Sequence, residues 1–375
     1  MDTKELLNPL RQKIDEIDKK LIPLFASRMD VSAKIADIKG ENNMAVTDAV
    51  REQAVIDRAV DLVDEPFKGE ASLLMRSIIA LSSEHQRKLL FGSKATKLLP
   101  DAAKPVEENI TCAYQGIPGA WSEQALMKLF PNAEKTAVEF FEDVFLAVKE
   151  KKVAYGVVAI ENSKSGAIGE TYDLLRKYGC FVVGRTWIDI QQCLLAPAGT
   201  SLSDVREVFS HPEGFRQCSG FLRKHAWDLT ACRNTAVAAQ TAAGKNDGRT
   251  AAIGSRRAAE MNNLEVLVPD IMDSSDNRTS FVVIAAEPEY NEISELISLT
   301  FSTAHRSGAL CETLMPFMAA GLNLMRIESR PAGPDKYRFF AEIQGNIMDS
   351  NVIDALNHAA ATCEYFEVIG CYSNT

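Results

Sequence analysis

The chain has no apolar run near the roughly 18 residues that a membrane-spanning helix requires. Its first twenty residues are charged throughout and contain no apolar segment typical of a signal peptide. The eight cysteines are scattered, without a CxxC pair or clustered histidines, so we expect reduced thiols and neither a disulfide framework nor a zinc site. These absences predict a cytoplasmic protein that binds neither a membrane nor a structural metal.

Positive charge does not dominate either, because 41 Lys and Arg stand against 51 Asp and Glu, a net charge of −10. This balance argues against a nucleic-acid partner. The hydrophobic share of 46% and the charged share of 25% are those of an ordinary globular protein. A length of 375 residues predicts two to three domains at roughly 150 residues each.

Residues 1–92 are predicted to form an all-α domain. Apolar residues recur at helical spacing in the first forty positions, namely Leu10, Ile14, Ile17, Leu21, Leu24, Phe25, Val31, Ile35 and Ile38. Asn8 and Pro9 are the predicted N-cap and first helical residue, Gly40 the predicted end, and Pro23 a predicted kink. A helix of ~45 Å is too long for a compact ninety-residue domain, so we expect it to pack against a second chain. Two further helices are predicted near 48–63 and 70–90.

The rest of the chain changes character twice. Residues 93–109 contain Pro100 and Pro105 and are predicted to be a linker. Over 110–287, short apolar strand candidates alternate with helical patterns, which predicts an α/β domain with mostly parallel strands. Residues 296–375 follow the order strand, helix, strand, strand, helix, strand, which is a ferredoxin-like α+β pattern.

Polar residues of the helical region fall into spaced groups. Arg28 and Lys39 are 11 residues apart, which places them within about 20° of each other around a helix. Arg11 lies 17 residues before Arg28 and points roughly 100° away, so it serves either a different pocket or the pocket of a partner chain. Each residue alone is more often part of a solvated face.

Two shorter groups follow on the next helices. Asp48, Arg51 and Glu52 share one face at i, i+3 and i+4. Ser82 and Gln86 repeat the i, i+4 spacing on the third helix.

As a set, these positions resemble the helical chorismate mutase family over essentially all of 1–90. The matching residues are Arg11, Arg28, Lys39, Asp48, Arg51, Glu52, Ser82 and Gln86. The resemblance implies a domain-swapped helical dimer in which Arg11 reaches the partner's site.

The residue types suit that reaction. Chorismate is a dianion, and three arginines could hold its two carboxylates. Lys39 and the Gln86 amide are suitable donors to the ether oxygen, where negative charge grows. Glu52 is expected either to be protonated or to accept the substrate hydroxyl.

Four stretches mark the α/β region: 114–125, a glycine-containing turn from strand to helix; 159–168, at the end of an apolar strand; 210–218; and 276–284. Each alone is typical of a capped turn. In this order they resemble the prephenate dehydratase family over roughly 109–287.

This second resemblance implies two α/β lobes like those of a periplasmic binding protein, with the substrate in the cleft between them. The matching positions are Glu161, Asn162, Ser163, Ser210, His211, Gln217, Thr279 and Phe281. The family assigns protonation of the leaving hydroxyl to the threonine, here Thr279. Asn162, Ser163 and Gln217 would hold carboxylates, and no cofactor is expected because aromatisation drives the reaction.

One position departs from the family motif. The motif is Asn-x-Thr-Arg-Phe, whereas this chain has Ser280 after the threonine and Arg278 before it. Because successive strand residues face opposite ways, Arg278 is not an automatic substitute. We expect a cation from Arg278, turned inward by a bulge before the strand, or from another basic residue. The other candidates are Arg185, Arg216 and Lys164.

The tail carries two motifs, Gly308-Ala309-Leu310 and Glu328-Ser329-Arg330-Pro331. With the 296–375 pattern they resemble the ACT domain of phenylalanine-inhibited dehydratases. The resemblance implies that phenylalanine binds at an ACT dimer interface, with its carboxylate at the helix N-terminus near Gly308.

The expected protein is a homodimer or higher homo-oligomer that converts chorismate to prephenate and prephenate to phenylpyruvate, with phenylalanine as effector. Two alternatives stay open. The dehydratase cleft could be catalytically dead and act as a phenylalanine sensor, for which the only support is the Ser280 change. The dehydratase could also prefer arogenate to prephenate, and no residue in the sequence distinguishes the two substrates. A generic solute-binding protein is disfavoured, because it leaves residues 1–92 unexplained.

Overall fold

A long helix, α1 (Thr3–Glu41), opens the computed structural model, which describes residues 3–42, 44–46, 48–91, 98–334 and 336–374. The helix begins five residues before the expected N-cap at Asn8, so that prediction is wrong and Pro9 lies inside the helix. Residues 4–7 are good helix formers, which explains the earlier start. The helix continues through Pro23 and spans about 58 Å. A kink at Pro23 stays a prediction.

Two more helices, α2 (Ala49–Asp61) and α3 (Lys68–Phe91), confirm the all-α region, with a 3₁₀ turn at Glu65–Phe67 between them. α1 and α3 approach closely at Gly40, where an added Cβ would lie 2.6 Å from Leu90 Cδ2. Most apolar side chains of the α1 stripe remain exposed in the single chain; Ile17, for example, is 61% exposed. Packing of this apolar face on a second chain stays a prediction.

The α/β region contains two sheets. The strands of the first sheet are β1 (Thr111–Gln115), β2 (Glu134–Val138), β3 (Tyr155–Asn162), β4 (Gly166–Ala167), β5 (Phe181–Asp189) and a late strand, β11 (Arg278–Ala285). The helices between them are α4 (Trp121–Leu129), α5 (Phe141–Lys149) and α6 (Gly169–Tyr178). The strands of the second sheet are β6 (Cys193–Pro197), β7 (Glu207–Ser210), β8 (Asp228–Ala231), β9 (Thr250–Gly254) and β10 (Leu264–Val268). The helices between them are α7 (Pro212–Gln217), α8 (Ser219–Leu222), α9 (Thr235–Lys245) and α10 (Arg256–Met261).

Most strands of the two sheets run in one direction, which confirms the expectation of mostly parallel strands, and only β6, β11 and the two-residue β4 run against their neighbours. β1 is parallel to β2 and β3, and β7 is parallel to β8 and β9. β11 is antiparallel to β3 and β5, and β6 is antiparallel to β9 and β10. The physical reason is that the chain crosses between the sheets after β5 and again after β10, and the first strand after each crossing runs against its neighbours.

Both faces of the first sheet are covered. α5 and α6 pack Phe145 and Leu175 on one face, and α4 packs Leu126 on the other. β3 is therefore buried through most of its length, and its polar end, Glu161 and Asn162, emerges where the apolar run stops.

The tail has the predicted order: β12 (Leu296–Thr303), α11 (Ala309–Ala319), β13 (Leu324–Gly333), β14 (Lys336–Gln344), α12 (Ser350–Ala361) and β15 (Cys363–Tyr372). The strand order β13-β14-β12-β15 is antiparallel throughout, which confirms the ferredoxin-like pattern. β15 also pairs in parallel with β5 at Gly370 and Val182, so the tail strands extend the first sheet.

The described residues include no helix that is long and apolar enough to cross a lipid bilayer. Contacts divide the chain into two compact units. One contains 1–96 with the short segments 310–314 and 357–362, and the other contains the remainder.

Gly370→Ala should destabilise the junction between β15 and β5. A Cβ there would overlap the Val182 carbonyl oxygen, and backbone cannot move aside as a flexible side chain can. We expect a loss of about 1–3 kcal/mol, seen as a lower Tm in thermal unfolding. Gly244→Ala, in helix α9 with nothing within 4 Å, is the control and should be neutral or stabilising. Equal melting of the two variants would contradict the close approach.

Candidate active sites

In the helical region, three of the expected mutase residues form one polar cluster between α1 and α3. Arg28 Nη1 donates to Ser82 Oγ and lies 3.5 Å from the Ile78 carbonyl oxygen. Gln86 Nε2 donates to Ser32 Oγ over 2.8 Å. Burial lowers the pKa of Arg28, although an arginine stays charged at neutral pH. The cluster thus holds a partly buried cation beside neutral donors.

One atom of this cluster lacks a partner. Gln86 Oε1 is buried and accepts no hydrogen bond from the residues that the structure describes. Buried polar atoms are normally paired, so an unpaired acceptor is a feature that a bound ligand or water would satisfy.

The second polar group lies at the start of α2. Asp48 is the N-cap of α2, where its Oδ1 accepts from the Arg51 backbone N–H at 3.0 Å. Arg51 is exposed and Glu52 half-buried. Lys39 Nζ donates to the Val46 carbonyl oxygen at 2.5 Å, which holds the ammonium at the end of α1 against the turn that leads to α2.

Arg11 is not brought to the Arg28–Ser82–Gln86 cluster within one chain. It is exposed on α1, and 17 residues of helix separate it from Arg28, a distance of about 26 Å along the axis. No side chain bridges such a distance. Arg11 can therefore join a site of this kind only on another chain.

In the α/β region, Asn162 on β3 and Thr279 on β11 lie directly opposite each other. Asn162 Nδ2 donates to Thr279 Oγ1 at 2.9 Å and to Asn277 Oδ1 at 2.8 Å. Asn162 Oδ1 accepts from the backbone N–H groups of Lys164 and Ser165 at 3.0 and 3.1 Å. The amide is thus fixed at both ends, and it fixes the threonine hydroxyl in turn.

Three other motif positions support the framework. Ser163 and Arg278 exchange two bonds, from Ser163 N to Arg278 O at 2.9 Å and from Arg278 N to Ser163 Oγ at 3.0 Å. Phe281 is buried in the core beneath α4. Ser210 is fully buried, and its Oγ donates to the Ile253 carbonyl oxygen at 3.2 Å.

The other polar residues expected in the second sheet meet at α7. His211 is its N-cap, with Nδ1 accepting from the Glu213 backbone N–H at 3.2 Å, and burial lowers the pKa of His211. Gln217 Nε2 donates to Glu213 Oε1 at 3.1 Å, while Gln217 Oε1 accepts from Gln192 Nε2 at 3.3 Å. The neutral imidazole that a lowered pKa favours is the form that can accept this cap bond.

Three polar residues each have one buried atom without a hydrogen-bond partner among the described residues, namely Gln192 (Oε1), Asn234 (Nδ2) and Asn277 (Nδ2). Asn277 is the first residue of the family motif, whereas sequence reasoning missed Gln192 and Asn234. Asn234 Nδ2 lies 3.7 Å from where a Cβ of Gly116 would stand, so it faces the glycine turn of the first sheet. Its signal was an asparagine before an alanine-rich helix, where it caps α9, but a cap alone does not indicate a site.

The glycine turn itself is confirmed. Gly116 and Gly119 have φ of +115° and +93°, a region that glycine occupies without strain. A Cβ on Gly119 would stand 3.0 Å from Ala258 Cα on α10, so this glycine permits a close contact with the second sheet's layer.

The departure at Ser280 has a local partner. Ser280 is fully buried, and its Oγ accepts from Arg185 Nε on β5 at 2.8 Å. Arg185 Nη1 also pairs with Glu342 on β14.

Glu161 points away from the Asn162–Thr279 pair. Its Oε2 lies 3.7 Å from Arg185 Nη2 and 3.1 Å from Nη1 of Arg326 on β13.

The other basic candidates lie elsewhere. Arg278 is exposed over the Trp187 ring, 4.6 Å from its centroid. The irregularity against β3 comes after Ser280 and not before the strand, so the bulge expected to turn Arg278 inward is absent. Lys164 Nζ pairs with Asp276 Oδ1 at 2.6 Å, and Arg216 Nη2 with Glu213 Oε2 at 2.5 Å.

The two tail motifs lie at the ends of α11 and β13. Gly308 is the N-cap of α11 with φ of +81°, and Ala309 and Leu310 begin the helix. Glu328 and Arg330 alternate with Ser329 and Pro331, which are exposed. Arg330 Nη2 donates to Asp173 Oδ2 on α6 at 3.0 Å, and its guanidinium covers Gly169 at the start of that helix.

The part of the chain that the structure describes has no group of three His, Cys, Asp or Glu side chains placed to hold a metal ion.

Comparison with known proteins matches two family models. Residues 10–87 match chorismate mutase type II, and residues 112–289 match prephenate dehydratase. The arogenate dehydratase/prephenate dehydratase 2 of Arabidopsis thaliana is 35% identical over 70% of this chain and 72% of its own length. The crystal structure of prephenate dehydratase in complex with L-Phe from Arthrobacter aurescens has a TM-score of 0.65 and 26% identity, covering 70% of this chain and 90% of that one.

A further relative matches this chain over nearly its full length. The bifunctional chorismate mutase/prephenate dehydratase of Buchnera aphidicola is 30% identical over 96% of this chain and 95% of its own length. The chain belongs to the family of bifunctional chorismate mutase/prephenate dehydratases.

Proposed function

We propose that this chain rearranges chorismate to prephenate and then converts prephenate to phenylpyruvate, two consecutive steps of phenylalanine biosynthesis. The observation that carries the proposal is that one chain holds both polar clusters, Arg28–Ser82–Gln86 in its helices and Asn162–Thr279 on paired strands. We further propose domain boundaries of 1–92, 93–109, 110–287 and 296–375, and a cytoplasmic location.

The mutase reaction needs a rigid, cationic site because the substrate carries two carboxylates and reacts without covalent help. Arg28 is oriented by Ser82, and Arg51 stands at the start of α2, so each can hold a carboxylate. Lys39 and the Gln86 amide would donate to the ether oxygen as its charge grows. Glu52, half-buried beside Arg51, would accept the substrate hydroxyl or carry a proton itself.

A homodimer completes this site in the proposal. Arg11 is about 26 Å from Arg28 along α1, and the apolar stripe of the same helix is exposed. Pairing of two α1 helices would cover the stripe and bring Arg11 to the partner's cluster.

In the dehydratase reaction, prephenate loses carbon dioxide and its ring hydroxyl. The carboxylate leaves as carbon dioxide, its bonding electrons enter the ring, and the hydroxyl leaves as water after gaining a proton. Thr279 would give that proton, since its Oγ1 already accepts from Asn162 and its own O–H is available to donate. The Asn162 amide then stabilises the oxygen from which the proton departs. Gln217 would hold a carboxylate.

We assign the tail, 296–375, to an ACT domain that binds phenylalanine as the feedback effector. Support comes from the βαββαβ topology, from Gly308 at a helix N-terminus, and from the Arthrobacter relative whose structure contains L-Phe.

Arg11 should act in trans. We expect Arg11→Ala and Arg51→Ala homodimers to have little mutase activity, and mixtures of the two chains to regain part of it, because one of the two hybrid sites is then wild type. Exchange of tagged chains establishes that mixed dimers form. Mixed dimers that stay inactive would exclude a site shared between chains, and mixing Arg51→Ala with Lys39→Ala chains is the matched control for two residues of one chain's site.

Thr279→Val should lower dehydratase kcat by about 10²–10⁴-fold, the range for loss of a general acid. Thr279→Ser keeps the hydroxyl and should retain most of the activity. Phenylpyruvate formation from prephenate measures the effect, and mutase activity of the same chain reports on folding. Wild-type turnover in the valine variant would remove Thr279 from the mechanism.

Phenylalanine should bind the full chain, raise its Tm and inhibit the dehydratase more than the mutase. Glu328→Ala should weaken all three responses, whereas Glu364→Ala, an exposed residue on β15, should not. Calorimetry and thermal unfolding with phenylalanine measure this. The absence of binding at millimolar phenylalanine would refute the effector site while leaving both activities in place.

A further inference from the structure

A positive charge lies beside position 280, where the family motif has an arginine and this chain has Ser280. Ser280 is fully buried on β11, and the guanidinium of Arg185, from the neighbouring strand β5, lies against it with Nε 2.8 Å from Ser280 Oγ. A buried arginine therefore occupies the space beside position 280, although it comes from another strand.

Among the described residues, Arg185 lies in a cluster of four charged side chains, two of each sign. It pairs with Glu342, and its Nη2 lies 3.7 Å from Glu161 Oε2. Arg326 Nη1 is 3.1 Å from the same Glu161 oxygen. Arg185 and Glu342 are 7% and 6% exposed, so the pair is shielded from solvent. Buried charges persist only where they are paired, and here each has an opposite charge.

The register of the strands shows which face of the sheet these groups occupy. Ser280 pairs with Glu161 across β11 and β3, while Thr279 pairs with Asn162 one step away. Because side chains alternate along a strand, Ser280 and Glu161 face one side of the sheet, and Thr279 and Asn162 face the other. Arg185 is on the Ser280 side, so the sheet itself separates its guanidinium from the Thr279 hydroxyl.

We propose that Arg185 supplies the cation that position 280 lacks, and that it is a positioning residue for the dehydratase and not a substrate ligand. The proposal rests on the dehydratase activity proposed above. Arg185 contacts Ser280, which follows Thr279 on β11, and Glu161, which precedes Asn162 on β3.

The physical role follows from this geometry. The planar Arg185 guanidinium contacts both Ser280 and Glu161. This contact keeps the backbones that carry Thr279 and Asn162 at a constant separation. A misplacement of about 1 Å in a reacting group costs on the order of 100-fold in rate. Loss of the clamp should therefore lower kcat and leave KM nearly unchanged, whereas loss of a carboxylate ligand would raise KM.

The decisive experiment exchanges the two side chains. Arg185→Ser removes the cation, and Ser280→Arg places a second one beside it, so each single variant should lose dehydratase kcat by about 10- to 100-fold. The double variant Arg185→Ser/Ser280→Arg should recover most of that loss, because one arginine again faces Glu161 and Glu342. Arg278→Ala is the matched control and should change little.

Folding is separated from function by a charge-balanced variant. Arg185→Gln/Glu342→Gln removes one charge of each sign, so it should fold, keep mutase activity and lose dehydratase kcat with KM within about twofold. Thermal unfolding of the full chain supplies a readout that does not need dehydratase activity. The double exchange should melt nearer to wild type than either single variant.

Three results would overturn the proposal: an increase in KM with kcat preserved, unchanged kinetics in Arg185→Gln/Glu342→Gln, or Tm changes that simply add in the exchange variant. A wild-type chain that makes prephenate but no phenylpyruvate would instead refute the proposed dehydratase function, and the Tm comparison would still decide whether the two positions exchange the arginine.

Discussion

The antiparallel pairing of β3 with β11 is the constraint on which the dehydratase half depends. It places Asn162 opposite Thr279 and Glu161 opposite Ser280, on opposite faces of one sheet. One pair is a neutral hydrogen-bonded unit, and the other belongs to a buried ionic cluster. β11 can reach β3 only because the chain leaves the first sheet after β5, builds the second sheet, and returns. The antiparallel direction of β11, which the sequence did not predict, therefore sets Thr279 opposite Asn162.

The ionic cluster also joins parts that are distant in sequence. Arg185 lies on β5, Glu161 on β3, and Glu342 and Arg326 on strands of the tail. Removing one partner of such a buried pair typically costs about 3–5 kcal/mol, because the other charge is left unpaired. The tail is thus bound to β3 and β5 by charge as well as by the contact of Gly370 with Val182. A shift of β13 would act on Glu161 directly through Arg326, and a shift of β14 would act on it through Glu342 and Arg185, one residue from Asn162.

Local patterns predicted much of this molecule. The helical periodicity of residues 10–38, the order of elements in the tail and the polar ends of apolar strands all depend on neighbouring residues, and the structure has each of them. The start of α1 was wrong because Asn8-Pro9 has the form of a helix start, yet residues 4–7 favour helix and a proline near the beginning removes few bonds.

Contacts between residues that are distant in the chain could not be predicted from the sequence. Glu161 and Asn162 are adjacent and were assigned together to the substrate, but a strand sends them to opposite faces, and only the position of the tail shows what Glu161 meets. Arg185 was one of four cations considered for the Ser280 position, and its burial and its hydrogen bond to Ser280 distinguish it from Arg278. Arg278 and Ser280 are two residues apart and share one face of the strand, so the sequence argument from alternation does not exclude Arg278. Arg278 is instead the exposed first residue of β11, where water screens its charge. A buried serine with an arginine beside it is therefore not by itself evidence of a decayed site, because a cation still lies next to position 280.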